Sequence, residues 1–238
     1  GEWVCNFTKM RFHVIIRISE SEMQTLSQKQ FCPKGEGDIV PALFERVAID
    51  LREKGFSINP TSLPMDLSES LSAHVSLMDD AKFSAAGVGR GDGFMRSNFV
   101  RTDQISWITG DSEAGSDWLK WASSLQKYLN EKLLLGLFSF ESQFAHYGAG
   151  DYYKRHSDAF KGEANRVLSL VLYLNHGWAI ADGGELVLYQ NDQDSEGIKV
   201  TPLLGTLVVF LSEDFTHEVL PASRDRYSVA GWYRVNSS

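Results

Sequence analysis

The chain has 238 residues, 43% of them apolar and 23% charged, and a net charge of −8. That size suits one large β-rich domain, or a barrel with an added helical layer, and the acidic balance argues against a nucleic-acid backbone as the main partner. Two cysteines, Cys5 and Cys32, exclude a disulfide framework and fit a reducing cytoplasm; no apolar run reaches membrane-spanning length, and no signal peptide is legible.

Residues 1–35 are the least readable; within them Arg11 to Ile18 reads as a short strand. From Ile39, apolar residues recur at helical spacing through Leu51, with Asp38 as cap and Gly55 as stop. Asn59-Pro60 and Pro64 break the chain. A second amphipathic helix is expected over Met65 to Lys82, with Leu67, Leu71, His74 and Met78 inside. Ala85 to Gly93 is glycine-rich and reads as a loop. With the residues just after it, it carries Arg90, Arg96 and Arg101, and reads either as a solvated loop or as a substrate flap beside a site. Gln104 to Ile108 reads as a strand. Ser116 is the expected cap of a long helix running to Leu135, with Gly136 ending it.

From Leu137 the period changes to two. Strands are predicted at Phe138 to Tyr147, Tyr152 to Asp158, Arg166 to Asn175, Glu185 to Gln190, Gly197 to Pro202, Thr206 to Leu211, His217 to Leu220 and Tyr227 to Val235. Short strands with regular Gly- and Asp-rich turns predict a mainly β fold of the sandwich or jelly-roll kind. The helices precede the strands and should pack outside one sheet. The whole chain, 1–238, is expected to be one domain, with 1–135 as helical support and flap and 136–238 as the β core.

One triplet carries chemistry. On a strand, side chains two apart share a face, so His156 and Asp158 would aim at one spot with Ser157 turned away. His217 would add a second imidazole. Two histidines and one carboxylate on one side of a metal form the facial triad of non-haem Fe(II) oxygenases. Arg226 opens an apolar run in which Ser228, Ala230 and Trp232 share its face. The two small residues would leave room for a ligand, with Trp232 as a wall. A buried guanidinium there needs an anionic partner, and a dicarboxylate would be one.

The stretches "YYKRHSDAF", "VLYLNHGW", "DGGELVLY", "LVVFLSEDFTHEVLPA" and "RYSVAGWYR", with "VRTDQISWITG" upstream, resemble the 2-oxoglutarate- and Fe(II)-dependent prolyl hydroxylases. The likeness is to the branch that holds the animal hypoxia-sensing enzymes and their bacterial relatives. It implies a double-stranded β-helix (jelly roll) supported by N-terminal helices. It also implies Fe(II), 2-oxoglutarate and O2 as cofactors, with ascorbate in support, and prolyl 4-hydroxylation. By this resemblance His156, Asp158 and His217 would hold the iron. Arg226 and Tyr173 would hold the far carboxylate of 2-oxoglutarate, and Tyr147 would stand near its chelating end. Leu186, Val219 and Trp232 would be walls, and Asp103 and Arg166 a structural ion pair. The implied partner is a protein substrate with a target proline, in the bacterial branch elongation factor Tu. The enzyme would act as a cytoplasmic monomer without nucleic acid or membrane.

Four rivals remain at this stage. A nucleic-acid demethylase of the same chemistry would carry a second arginine six residues after Arg226, where this chain has Trp232. A small-molecule hydroxylase would share the whole triad. A metal- or sugar-binding jelly roll would not consume oxygen, whereas an oxygen sensor would be set apart only by its oxygen affinity.

Overall fold

A computed structural model describes residues 42–86, 100–159 and 165–236. The predicted Arg11 to Ile18 strand, the Asp38 cap, and Arg90 and Arg96 lie outside these described residues. Helix α1 (Ala42–Lys54) buries Leu43, Phe44, Val47, Ala48 and Leu51 along one stripe. Gly55, at φ 79°, ends it in the left-handed region open to glycine. Strand β1 (Phe56–Asn59) follows and was not predicted. It is a four-residue edge strand that stops just before Pro60, so the break signal and the strand end coincide.

Helix α2 (Met65–Ser76) is shorter than the expected Met65 to Lys82. The Asp79 carboxylate accepts from Ala81 N–H at 2.9 Å, a local turn that competes with the helix, and a 3₁₀ turn covers Asp80–Lys82. Strands β2 (Ser84–Ala85) and β3 (Gln104–Trp107) come next. Helix α3 (Glu113–Leu133) starts four residues earlier than its expected cap allows. Ser112, not Ser116, is the cap: it is extended, and its Oγ accepts from Gly115 N–H at 3.1 Å. Leu134, not Gly136, is the first left-handed residue after the helix (φ 55°). Asn130 secures that exit by donating to Leu137 C=O at 2.8 Å and accepting from Leu137 N–H at 2.7 Å.

The remaining strands are β4 (Ser139–Tyr147), β5 (Tyr153–His156), β6 (Arg166–Tyr173), β7 (Leu186–Tyr189), β8 (Ile198–Val200), β9 (Leu207–Leu211), β10 (Thr216–Val219) and β11 (Arg226–Arg234). They form two antiparallel sheets, ordered β1-β9-β6-β11-β4-β3-β2 and β5-β10-β7-β8. From β4 onward the chain passes back and forth between the sheets, as a jelly roll requires.

The large sheet is buried on both faces, which explains why β6 reads as an almost unbroken apolar run. Leu168, Leu170 and Leu172 face the helices, beside Leu207, Val209, Val229 and Tyr233. The helices contribute Val47, Leu51, Leu71, Trp118, Leu125 and Leu129 to this layer. Its aromatic polar atoms are paired: Trp118 Nε1 donates to Ser142 Oγ at 3.0 Å and Tyr233 OH donates to Ala122 C=O at 2.8 Å. The opposite face looks toward the small sheet. Tyr147, Tyr173, Val208 and Phe210 there meet Leu186, Leu188, Phe215 and Val219.

The sheets are also joined at an edge. Arg101 forms an isolated antiparallel bridge with Tyr153, Lys154 N–H donates to Val100 C=O at 2.9 Å, and Thr102 N–H donates to Tyr152 C=O at 3.1 Å. The segment that enters β3 is thereby hydrogen-bonded to β5.

Candidate active site

His156 and His217 are directly opposed partners on the neighbouring strands β5 and β10. This pairing sets the two rings side by side, with centroids 4.2 Å apart. Nδ1 of His156 donates to Lys154 C=O at 2.7 Å, which leaves Nε2 bare as a ligand atom. The Tyr153 ring stacks on the imidazole at 3.5 Å.

Asp158 is not on the strand, contrary to the expected run to residue 158; β5 ends at His156. The carboxylate still reaches the same spot, with Oδ1 3.8 Å from His156 Nε2 and Oδ2 3.6 Å from His217 Nε2. Donor atoms of the three side chains all lie within 4.8 Å of one another. Burial and the neighbouring His217 push the His156 pKa down to about 3. Burial alone would raise the Asp158 carboxyl. The two imidazoles and the Ser169 hydroxyl outweigh it and hold the pKa at about 2. The indole N–H of Trp232 adds to this without reaching hydrogen-bond geometry. At neutral pH His156 is therefore a neutral imidazole and Asp158 an anion, the forms that bind a divalent cation.

Arg226 opens β11 opposite Tyr147 and is only 1% exposed. Its guanidinium lies 4.9 Å from the Tyr147 ring centroid and 5.0 Å from that of Tyr173. Among the described residues, Arg226 Nε and Nη1 and Tyr173 OH have no hydrogen-bond partner. Burial raises the Tyr173 pKa, against the pull of Arg226, so the phenol keeps its proton and can donate. A buried cation beside a buried donor fits a carboxylate. Gly184 makes room for the arginine: a Cβ there would sit 3.2 Å from Arg226 Cδ, at a backbone φ of 71°.

Register gives the length of the site. Trp232 is opposite Ser169, which donates to Asp158; Ser228 is opposite Tyr173. Four residues of β6, roughly 13 Å of strand, thus separate the triad row from the Tyr173 row. Side chains reaching in from both ends leave a span suited to a short diacid. Leu186, Val219 and Trp232 are all buried about it, at 1%, 7% and 9% exposure.

The expected Asp103–Arg166 ion pair does not form. Asp103 instead accepts from Arg101 Nε at 2.7 Å and Nη2 at 2.6 Å. Arg166 pairs with Glu141 at 3.0 Å, a carboxylate shared with Arg234, and stacks 3.9 Å over Trp232. The reason is register. Asp103 adjoins the Tyr147 end of β4, while Arg166 is aligned through Arg234 with Ser139 at the other end. Arg101 is likewise no free flap residue: it is tied to Asp103 and lies 4.2 Å over Tyr153. Burial opposes its charge, but Asp103 more than compensates and raises its pKa.

Three contributors escaped sequence reading. Ser169 looked like filler in an apolar run. Asn175 accepts from Tyr227 N–H at 2.7 Å and donates to Tyr227 C=O at 3.0 Å and Pro202 C=O at 2.8 Å, fixing the start of β11 beside Arg226. Arg155 clasps the outer face of the small sheet, donating to Thr216 Oγ1 and to the Asn191 and Asp194 carbonyls, each at 2.9 Å. The asparagine of "LYLN" was the one available signal, since a polar residue ending a buried strand needs partners.

The family model described as the 2OG-Fe(II) oxygenase superfamily matches residues 142–234. A solved prolyl-4-hydroxylase from Pseudomonas putida is 38% identical, with TM-score 0.72, and the match covers 82% of this chain and 100% of that one. This chain belongs to the 2OG-Fe(II) oxygenase family. The oxygenase also superposes on a Trichoplax adhaerens prolyl hydroxylase solved with a hypoxia inducible factor peptide, at 27% identity and TM-score 0.70, over 92% of this chain and 94% of that one. Human Egl nine homolog 1 is 31% identical over 148 residues, 58% of this oxygenase and 34% of that protein. The oxygenase spans 34% to 62% of the length of the human, mouse and rat Egl nine homologs it matches. Fe(II), 2-oxoglutarate and O2 are the cofactors of its family. No helix among the described residues is long and apolar enough to cross a membrane.

Proposed function

We propose that this oxygenase hydroxylates a prolyl residue, at the 4-position, in a protein substrate, acting as a cytoplasmic monomer. One observation carries the reading: among the described residues, Arg226 Nε and Nη1 and Tyr173 OH lack partners on the same inner face that gathers His156, Asp158 and His217. His156, Asp158 and His217 would hold Fe(II). Arg226 and Tyr173 would grip the far carboxylate of 2-oxoglutarate, while Tyr147, Leu186 and Val219 close around it and exclude water. When bound, the metal and 2-oxoglutarate supply the oxidation that places one oxygen atom of O2 in a C–H bond and the other in succinate. The protein's own work is orientation. The Arg226 fork sets the angle of the diacid, and Asp158, kept anionic, keeps its donor atoms on the metal side.

A protein substrate is supported by the mouth of the barrel. Trp107 is 52% exposed and shares the inner face with Gln143 and Ala230, its cross-strand neighbours, and so with Trp232. Half-exposed aromatic surface beside a reaction site suits a proline ring on a peptide. Elongation factor Tu is the substrate to try first, from the likeness to the bacterial branch. Incubation with Fe(II) and 2-oxoglutarate should add one oxygen atom to it by intact mass, with matching succinate. Succinate formed on a proline peptide with no mass gain on elongation factor Tu would remove that substrate and leave the reaction class standing.

A further inference from the structure

Asp158 has left the regular strand, so the ladder does not hold it; the Ser169 hydroxyl does. Ser169, on β6 and 1% exposed, donates to Asp158 Oδ2 at 2.6 Å. Ser169 Oγ lies 2.9 Å from Ser212 Oγ, and Ser212 is fully buried. Ser157 Oγ sits 2.8 Å from Ala159 C=O and 3.1 Å from Ser212 C=O. Ser212 N–H in turn donates to Val167 C=O at 3.0 Å, fastening this residue to β6.

Proton counting gives the arrangement a direction. A serine hydroxyl has one proton to donate. Ser169 spends its one proton on Asp158 Oδ2, at 2.6 Å. The Ser169–Ser212 contact can then be made only with Ser212 as donor. The chain of bonds runs Ser212 to Ser169 to Asp158, and each bond polarises the next. We infer that Ser169, backed by Ser212, is a positioning residue for the metal site: it holds Asp158 Oδ2 from behind, so that the carboxylate offers the ion a fixed orientation and binds through a set geometry. An unrestrained carboxylate one residue past a strand end would rotate, and the donor set would lose its alignment with His156 and His217. The inference rests on the metal reading of the triad.

Mn(II) binding to metal-free protein, read as free ion by electron paramagnetic resonance, tests this without turnover. The decisive pair is Ser169→Thr against Ser169→Val, which have the same shape and differ by one hydroxyl. The valine variant should bind Mn(II) about 10- to 100-fold more weakly than the threonine variant, the usual cost of losing an outer partner of a metal ligand. The valine variant also loses a hydrogen bond to a buried carboxylate, so its metal-free thermal midpoint should fall too; a merely structural serine would move that midpoint and leave the affinity unchanged. Ser212→Ala, which deletes only the rear donor and needs no added space, should weaken binding by less than Ser169→Val. It carries the test if the larger side chains prevent folding, and binding by folded Ser212→Ala equal to wild type would then overturn the relay. Equal affinities for the threonine and valine variants would overturn it as well. Wild type that binds no Mn(II), like a His217→Ala control, would sink the metal reading itself, an outcome separate from failure of the relay.

Discussion

The two faces of the large sheet are built from the same strands and obey different rules. On β6, Leu168, Leu170 and Leu172 face the helices, while Ser169 and Tyr173 face the small sheet. On β11, Val229 and Tyr233 alternate with Arg226, Ser228 and Trp232 in the same way. The helix side is apolar, and its aromatic polar atoms are paired within the protein. Among the described residues, the inner side leaves buried atoms of Tyr173, His217, Arg226 and Trp232 without partners. One face is mainly apolar packing and carries stability; the other gathers the polar side chains and carries chemistry.

The widest separation of the two faces should come from ligand removal. Asp158→Ala or His217→Ala should cut succinate formation by more than the roughly 10- to 100-fold that loss of an outer partner costs, with little change in the unfolding midpoint of metal-free protein. Turnover retained by either variant would erase the distinction. The converse change is Leu125→Ala on the helix face, where the side chain is fully buried. It should lower unfolding free energy by about 2–5 kcal/mol in urea, yet leave the KM for 2-oxoglutarate in the folded fraction unchanged.

Arg226→Met joins the two measurements. Deleting a buried, unpaired cation should leave the metal-free protein as stable or raise it by about 1–4 kcal/mol, while 2-oxoglutarate affinity falls at least tenfold. A loss of both stability and affinity would mean that Arg226 is already satisfied inside the chain. Tyr173→Phe should show the same signs at smaller size, with stability within about 1 kcal/mol of wild type and a lower affinity for 2-oxoglutarate.

A further effect concerns acid. The folded His156 pKa is lowered from the ordinary 6.5 to about 3, so the unfolded chain takes up its proton first. Stability from this group is whole above pH 6.5 and is lost as pH falls toward 3. His156→Gln should flatten the midpoint-versus-pH curve of metal-free protein across that window, measured by thermal melts.

How much of this was legible follows the range of each interaction. The triad could be read because His156 and Asp158 are close in sequence and the period-two pattern located the later strands. The helix-facing stripe of α3 could be read for the same reason, since its spacing is local. Partners chosen across the sheets could not. Asp103 took Arg101, two residues away, and Arg166 took Glu141, because register, invisible in a single sequence, set them at opposite ends of β4. Ser169 was hidden by its neighbours: one hydroxyl in "RVLSLVLY" carries no mark of the carboxylate it meets.

The bridge between Arg101 and Tyr153 has a mechanical corollary. β5 is only four residues long, ends on the first imidazole, and is held on one side by β10 and on the other by residues 100–102. Tension on the chain arriving at β3 is therefore borne by the very backbone that aims His156. A pull on residues 100–102 thus reaches His156 through two backbone hydrogen bonds.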